Sequence, residues 1–356
     1  MKTGVLVLNF GEPENATREE VLPFLERIFF TNARLEGAAS EEARRARSRQ
    51  LAEDRVDALV EEYRAIGGSP LNGQARGQAE RLGEELRSRG HDAVCYAGYQ
   101  FLEPLVEDVV RRALDDGCER LVALPVYPLC GHSTTVAALA ETSRALEAAG
   151  AGAELLEIGG WHAHPDYAAF HAEHTATFCR ARGAELREAS TALLFSIHGT
   201  PIRYLEEGNR YDRYVDETCA AIAARLGVAR YWMGYQNHTN RPIEWTAPDV
   251  DDVVRALEAE RVVVVAVSFM HEQSETLAEL DGELREVAED AGLAFHRVPV
   301  PHDSPRFTRI LADLVEARLG DGSGTQSLSL RRCLCRAGGH ARCTNGLRLS
   351  QPVGVE

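Results

Sequence analysis

The chain has 356 residues, 44% of them hydrophobic and 26% charged, enough for one large core or for two lobes of roughly 150 residues each. A formal net charge of −16 excludes nucleic acid as the main partner, because a phosphate backbone is met by clustered Lys and Arg. The opening MKTGVLVLNFGEP carries too short an apolar run for a secretory signal and lacks a small-residue cleavage site. No stretch approaches the roughly 20 apolar residues of a membrane span. A cytoplasmic protein is expected, with peripheral contact to a membrane surface left open.

Short apolar runs alternate with helical patterns along the chain. The first predicted strand, 4–10, leads to helices over 41–65 and 74–89. A strand over 93–99, a helix over 105–116 and strands over 120–125 and 154–158 follow. Beyond a helix over 165–182 the succession repeats: strand 191–197, helix 210–226, strand 229–235, helix 250–259, strand 261–267, helix 275–291 and strand 294–298. Uninterrupted apolar runs such as Val262, Val263, Val264 and Val265 suit parallel strands covered on both faces. The alternation predicts a doubly wound α/β fold in two lobes, 1–160 and 161–319. From 320 the chain turns to GDGSGTQSLS, a flexible linker, and then to a Cys-containing tail through 356.

In open α/β sheets, ligands bind beyond the carboxyl ends of the strands. His198, in LLFSIHGTP, falls at such an end, where a neutral imidazole can ligate a metal or accept a proton. Glu275, Glu279, Glu283 and Glu286 recur at helical spacing after the strand over 261–267, with Glu272 just before them. Such a row reads either as a solvated face or as a carboxylate path from a buried site to water. NFGEP and GGSPLNG lack both the G-x-G-x-x-G spacing and the P-loop lysine, and SIHGTP has His where a nucleophile elbow needs Ser. Phe29, Phe30, Tyr99, Phe101, Tyr127, Trp245 and Phe269 lie near strand ends or early loops; each suits a core, and together they suit the lining for a flat apolar macrocycle.

VLVLNFGEP with PFLERIFF, then YRAIGGSPLNGQ, LPVYPLCGHSTT, SIHGTP, YQNHTNRPIEWTAP and SFMHEQSETLAELD occur in the order seen in ferrochelatases, over about residues 3–319. The resemblance implies two Rossmann-like, chelatase-like lobes and insertion of Fe(II), as substrate, into protoporphyrin IX or coproporphyrin III. It matches His198 to the family's active-site His and Glu275 to its partner across the macrocycle, with Glu279 and Glu283 on the acidic path. It places Phe269 and Trp245 in the porphyrin pocket and the segment 23–35, with Phe29 and Phe30, as a lip over the pocket mouth. Departures are Glu272 and Gln273 for an Asp-His pair, with His271 displaced; Gln100 for Arg or Lys; and Asn237, His238 and Asn240 for Q-S-R-x-G. The apolar lip leans the expectation towards protoporphyrin. Rival readings are chelation of cobalt or nickel into a related tetrapyrrole, and a non-catalytic haem- or porphyrin-binding module.

Five cysteines, Cys95, Cys118, Cys130, Cys179 and Cys219, are scattered and read singly as small buried residues. The tail motif CLCRAGGHARC sets Cys333, Cys335 and Cys343 together, with His340 between the last two. Some ferrochelatases carry a [2Fe–2S] cluster on three C-terminal cysteines and one internal one. The resemblance therefore implies a cluster here, with Cys130 as the candidate fourth ligand. Zinc on three Cys and His340 is the rival, and free thiols the simplest alternative. Nothing in the sequence reads on oligomeric state.

Overall fold

The computed structural model describes residues 1–32, 40–237, 243–320, 328–335 and 340–344. Strands β1 (Thr3–Asn9), β2 (Ala93–Tyr99), β3 (Arg120–Pro125) and β4 (Glu154–Glu157) form one four-stranded sheet in the order β2-β1-β3-β4. Strands β5 (Thr191–His198), β6 (Trp232–Gln236), β7 (Arg261–Ala266) and β8 (Ala294–Val298) form a second in the order β6-β5-β7-β8. Every pairing within both sheets is parallel. The two sheets therefore share one winding, and each has its switch point beside its first strand, where the order reverses.

Helices cover the sheets. In the first lobe these are α1 (Arg18–Asn32), α2 (Glu41–Ala65), α3 (Leu71–Ser88), α4 (Val106–Asp115) and α5 (Ala137–Ala149). They are followed by α6 (Tyr167–Ala181), α7 (Ile202–Glu206), α8 (Tyr211–Leu226), α9 (Val250–Arg255), α10 (Arg285–Asp290) and α11 (Pro305–Leu319). Two segments, His132–Val136 ahead of α5 and Glu275–Leu284 ahead of α10, wind as π-helix, a form concentrated at functional sites. No helix among the described residues is long and apolar enough to cross a membrane.

The core is continuous between the lobes: Leu6 and Leu8 of β1 belong to the same cluster as Leu193, Phe195 and Ile197 of β5. The last helix, which ends at Leu319, crosses between the lobes. In α11 the buried side chains Phe307, Ile310, Leu311, Leu314 and Val315 form one helical stripe. That stripe packs with Val5, Val7, Val122 and Leu124 of the first sheet. The last helix of the second lobe thus returns to pack on the first sheet beside α3. Downstream, β9 (Arg331–Arg332) and β10 (Arg342–Cys343) pair antiparallel as a short hairpin.

Candidate active site

The two switch points face each other across a cavity of about 630 Å³, within the range of small-molecule sites. Its wall takes Phe10 and Glu12 from beyond β1, Tyr127 from beyond β3, His198 and Gly199 from the end of β5, and Ser268 and Phe269 from beyond β7. The parallel topology brings these carboxyl-end residues together from positions far apart in the chain.

His198 Nδ1 lies 2.9 Å from Glu275 Oε1. The backbone amide of His198 donates to Ser268 Oγ at 2.9 Å, and its carbonyl accepts from the Tyr211 hydroxyl at 3.1 Å. The Gln273 side-chain amide donates to the other oxygen of Glu275. Burial alone would lower the His198 pKa, but Glu275 beside it and Glu279 behind it hold the imidazole above its ordinary value. The two side chains touch at the cavity wall.

The predicted acidic row divides. Glu275, Glu279 and Glu283 line the cavity along the π-helix, while Glu286 lies on α10, outside it. Glu272 turns away: its carboxylate takes the Arg297 guanidinium at 2.9 Å and the Val300 amide at 2.8 Å. Arg297 also holds Asp281 at 2.5 Å, so Glu272 anchors the π-helix to β8 and has no place among the cavity residues. Its expected position on the acidic path is thereby corrected. A buried carboxylate with a guanidinium partner 25 residues downstream is satisfied without any metal.

Burial, with the neighbouring charge of Glu275, raises the Glu279 pKa to about 8, against a hydrogen bond from Gln236 Nε2 at 2.9 Å that lowers it. Burial likewise raises Glu283. A carboxyl raised in the folded state favours folding below its unfolded value and loses that contribution as pH climbs through its folded value. Glu279→Gln should therefore raise the melting temperature by a few degrees near pH 9 and by much less near pH 5. Thermal melts across that range check the sign, and a stabilisation independent of pH would contradict the charged, buried setting of Glu279.

Among the predicted aromatic residues, Phe29, Tyr127, Trp245 and Phe269 line the cavity. Phe30 is a correction: it lies off the cavity, under the guanidinium groups of Arg44 and Arg45 at 5.5 and 5.1 Å. The segment expected to form a lip is largely α1, whose Phe24, Leu25, Ile28 and Phe29 reach the cavity; residues 33–35 of it lie outside the described residues. Tyr99 and Phe101 are buried away from the cavity. Gln100 donates to the Ser133 carbonyl at 3.2 Å and so braces the wall. Asn237 lines the cavity and binds the Thr246 carbonyl at 2.9 Å, whereas His238 and Asn240 lie outside the described residues. His271 is buried against Asn9 at 2.9 Å, with its pKa pressed down to about 3 by burial.

The sulfur atoms of Cys130, Cys333 and Cys335 lie within 4.8 Å of one another. Cys343, buried on β10, belongs to the same core cluster as Cys130 and Cys333. The Cys333 pKa is lowered because the Cys130 and Cys335 thiols donate to its sulfur, so the group contains a sulfur predisposed to the thiolate form that metals bind. A close approach makes room for the tail: a Cβ on Gly159 would stand 3.2 Å from both Cys333 Sγ and Cys343 Cβ. Three thiols gathered within 4.8 Å, with Cys343 in the same core cluster, offer the kind of sulfur donors an iron–sulfur cluster takes. His340 is exposed and is not part of this donor group, so the three-Cys-and-His zinc set is not assembled.

Comparisons with known proteins bear on the family and the fold. The ferrochelatase family model matches residues 2–319. A ferrochelatase from Synechococcus sp. (strain RCC307) is 33% identical over 327 residues, covering 89% of this chain and 83% of its own. A coproporphyrin III ferrochelatase from Mycolicibacterium smegmatis is 30% identical over 323 residues, covering 88% of this chain and 89% of its own. The fold is also that of a sirohydrochlorin chelatase, SirB from Bacillus subtilis subspecies spizizenii, at TM-score 0.52 and 10% identity, covering 91% of this chain and 98% of that one. With the family match spanning both lobes and the cavity between them, the chain belongs to the ferrochelatase family.

Proposed function

We propose that the chain is a cytoplasmic enzyme that inserts ferrous iron into protoporphyrin IX, with His198 and Glu275 at the metal-insertion centre. The observation that carries this reading is the 2.9 Å pair of imidazole and carboxylate in a cavity of about 630 Å³. Nitrogen and oxygen donors bind Fe(II) firmly enough to capture it and weakly enough to release it to a tetrapyrrole. Insertion exchanges two pyrrole protons for one Fe(II). His198 accepts a proton or holds the incoming metal, and Glu275, Glu279 and Glu283 carry protons or hydrated cations between the centre and water. The porphyrin lies against Phe29, Tyr127, Trp245 and Phe269, and a wall that bends the ring exposes its nitrogen lone pairs.

The choice of porphyrin rests on the wall beyond the pair. Phe24, Leu25, Ile28, Phe29 and Leu59 form an apolar side, and Arg55 is the only guanidinium among the described cavity residues. Vinyl groups suit that side. The two additional carboxylates of coproporphyrin III would be desolvated against it with Arg55 as the one guanidinium partner among the described residues. With Fe(II) supplied anaerobically, kcat/KM for protoporphyrin IX is expected to exceed that for coproporphyrin III by about tenfold or more. The reverse preference would align the chain with its Mycolicibacterium relative and overturn this assignment. The thiol group of Cys130, Cys333, Cys335 and Cys343 is proposed to hold a [2Fe–2S] cluster, which joins the tail to the body and supplies no group to the insertion centre.

A further inference from the structure

Two motifs that the insertion chemistry leaves unused, NFGEP (9–13) and GGSPLNG (67–73), meet at the head of the π-helix. We infer that Glu12 is a positioning residue for the insertion centre: from the first lobe it grips Ser274, and through Ser274 it sets the direction of Glu275. This deepens the reading of His198 and Glu275 as the metal centre and rests on it.

The grip is built from the backbone outward. Gly11 has φ +82°, and a Cβ there would stand 2.6 Å from Tyr99 Cβ; Gly68 has φ +90°, and a Cβ there would stand 2.4 Å from the Glu14 carbonyl oxygen. Both positions therefore demand glycine. Asn72 Oδ1 accepts from the Glu12 amide at 3.1 Å, while Asn72 Nδ2 donates to the Glu12 carbonyl at 2.7 Å. The Tyr99 hydroxyl in turn holds the Asn72 carbonyl at 3.0 Å. With its backbone fixed on both sides, Glu12 directs one carboxylate at the other lobe.

That carboxylate is 3% exposed and accepts from Ser69 Oγ at 2.5 Å, Ser274 Oγ at 2.5 Å and the Ser274 amide at 3.0 Å. Ser274 immediately precedes the π-helix, and its own side chain caps none of the helix amides. The first lobe thus supplies a carboxylate to the second lobe's helix terminus, where backbone N–H groups lack partners and a negative charge is favourable. The next residue is Glu275, whose carboxylate is held by His198 and Gln273. Little slack separates Glu12 from the insertion centre, and a displacement of about 1 Å at a reacting group costs on the order of a hundredfold in rate.

The test is a double-mutant cycle with Glu12→Gln, Ser274→Ala and the pair, on the full chain. Both single variants are expected to lose kcat for Fe(II) insertion by roughly ten- to hundredfold, with porphyrin KM within about twofold of wild type. The double variant should fall no further than the lower single. Zn(II) titrated calorimetrically gives a second readout without porphyrin: the part of binding that His198→Ala abolishes should weaken in Glu12→Gln. Wild-type kcat and Zn(II) affinity in a folded Glu12→Gln protein, or fully additive losses in the cycle, would overturn the inference. A lowered melting temperature with unchanged kcat would mark Glu12 as a purely structural clamp. Should Glu12→Gln fail to fold, Ser274→Ala, which keeps the amide bond to Glu12, decides on the same readouts. If the wild-type chain inserts no iron, the proposed function fails, and the Zn(II) measurement still decides whether Glu12 positions the pair.

Discussion

His198→Ala is expected to lower Fe(II) insertion by about a thousandfold or more, within the range for loss of a general acid–base or metal-ligating group. The protein should remain folded and still quench porphyrin fluorescence. The His198 side chain lies at a cavity wall with 32% of its surface exposed, so its removal opens no core. Glu275→Gln should cost a similar factor without destabilising the fold, since Glu275 and Glu279 repel each other beside the pair. A spectroscopic check accompanies it. Burial lowers the imidazole pKa and Glu275 is the first cause that raises it, so Glu275→Gln should bring the His198 titration down towards or below its ordinary value by NMR. Near wild-type turnover in His198→Ala would remove the proposed centre altogether.

That His198 and Glu275 meet at one cavity was legible because one rule acts on very local signals. Apolar runs mark strands, strand ends mark the ligand side, and His198 and the row beginning at Glu275 follow two such runs directly. Identical winding of the two sheets was visible in the repeated succession of elements. What a side chain does after its strand ends was less legible. Glu272 sits three residues before Glu275 in sequence, yet its direction is set by Arg297, brought alongside by the pairing of β7 with β8. Phe29 and Phe30 are adjacent, and only helix rotation in α1 sends one to the cavity and the other to Arg44 and Arg45. Glu12 gave no signal of its own, because its partner Ser274 is 262 residues away. Helix α11 was missed although its apolar spacing at 307, 310, 311, 314 and 315 was present; a helix with no strand after it breaks the alternation that carried the rest. The π-winding of Glu275–Leu284 was illegible, because carboxylates spaced by four suit an α-helix equally well.

Protein prepared anaerobically is expected to carry about two iron and two acid-labile sulfide per chain, and Cys130→Ser or Cys333→Ser to lose both. Cys130 belongs to the body: it follows β3, and its carbonyl accepts from Asn209 Nδ2 at 3.2 Å. Cys333 belongs to the tail, 203 residues later, and its sulfur lies 3.9 Å from that of Cys130. The hairpin that carries the tail thiols has strands of two residues each, too short to be stable alone. It is held by the Gly159 amide on the Arg342 carbonyl at 2.7 Å and the Thr344 amide on the Gly160 carbonyl at 3.2 Å. A group bound by the folded thiols and not by the unfolded chain adds its binding free energy to that docking. The variants should therefore melt several degrees lower and show faster amide exchange and proteolysis after residue 328. The insertion centre shares no residue with the thiol group, so turnover measured well below the melting temperature should stay close to wild type. A specific loss of kcat in a stable Cys333→Ser protein would instead show that the thiol site acts on the centre. Zinc at about one per chain in place of iron and sulfide would make it a structural zinc site. Absence of all three would leave the thiols as packing, with the Cys variants then expected to melt alike with and without chelator.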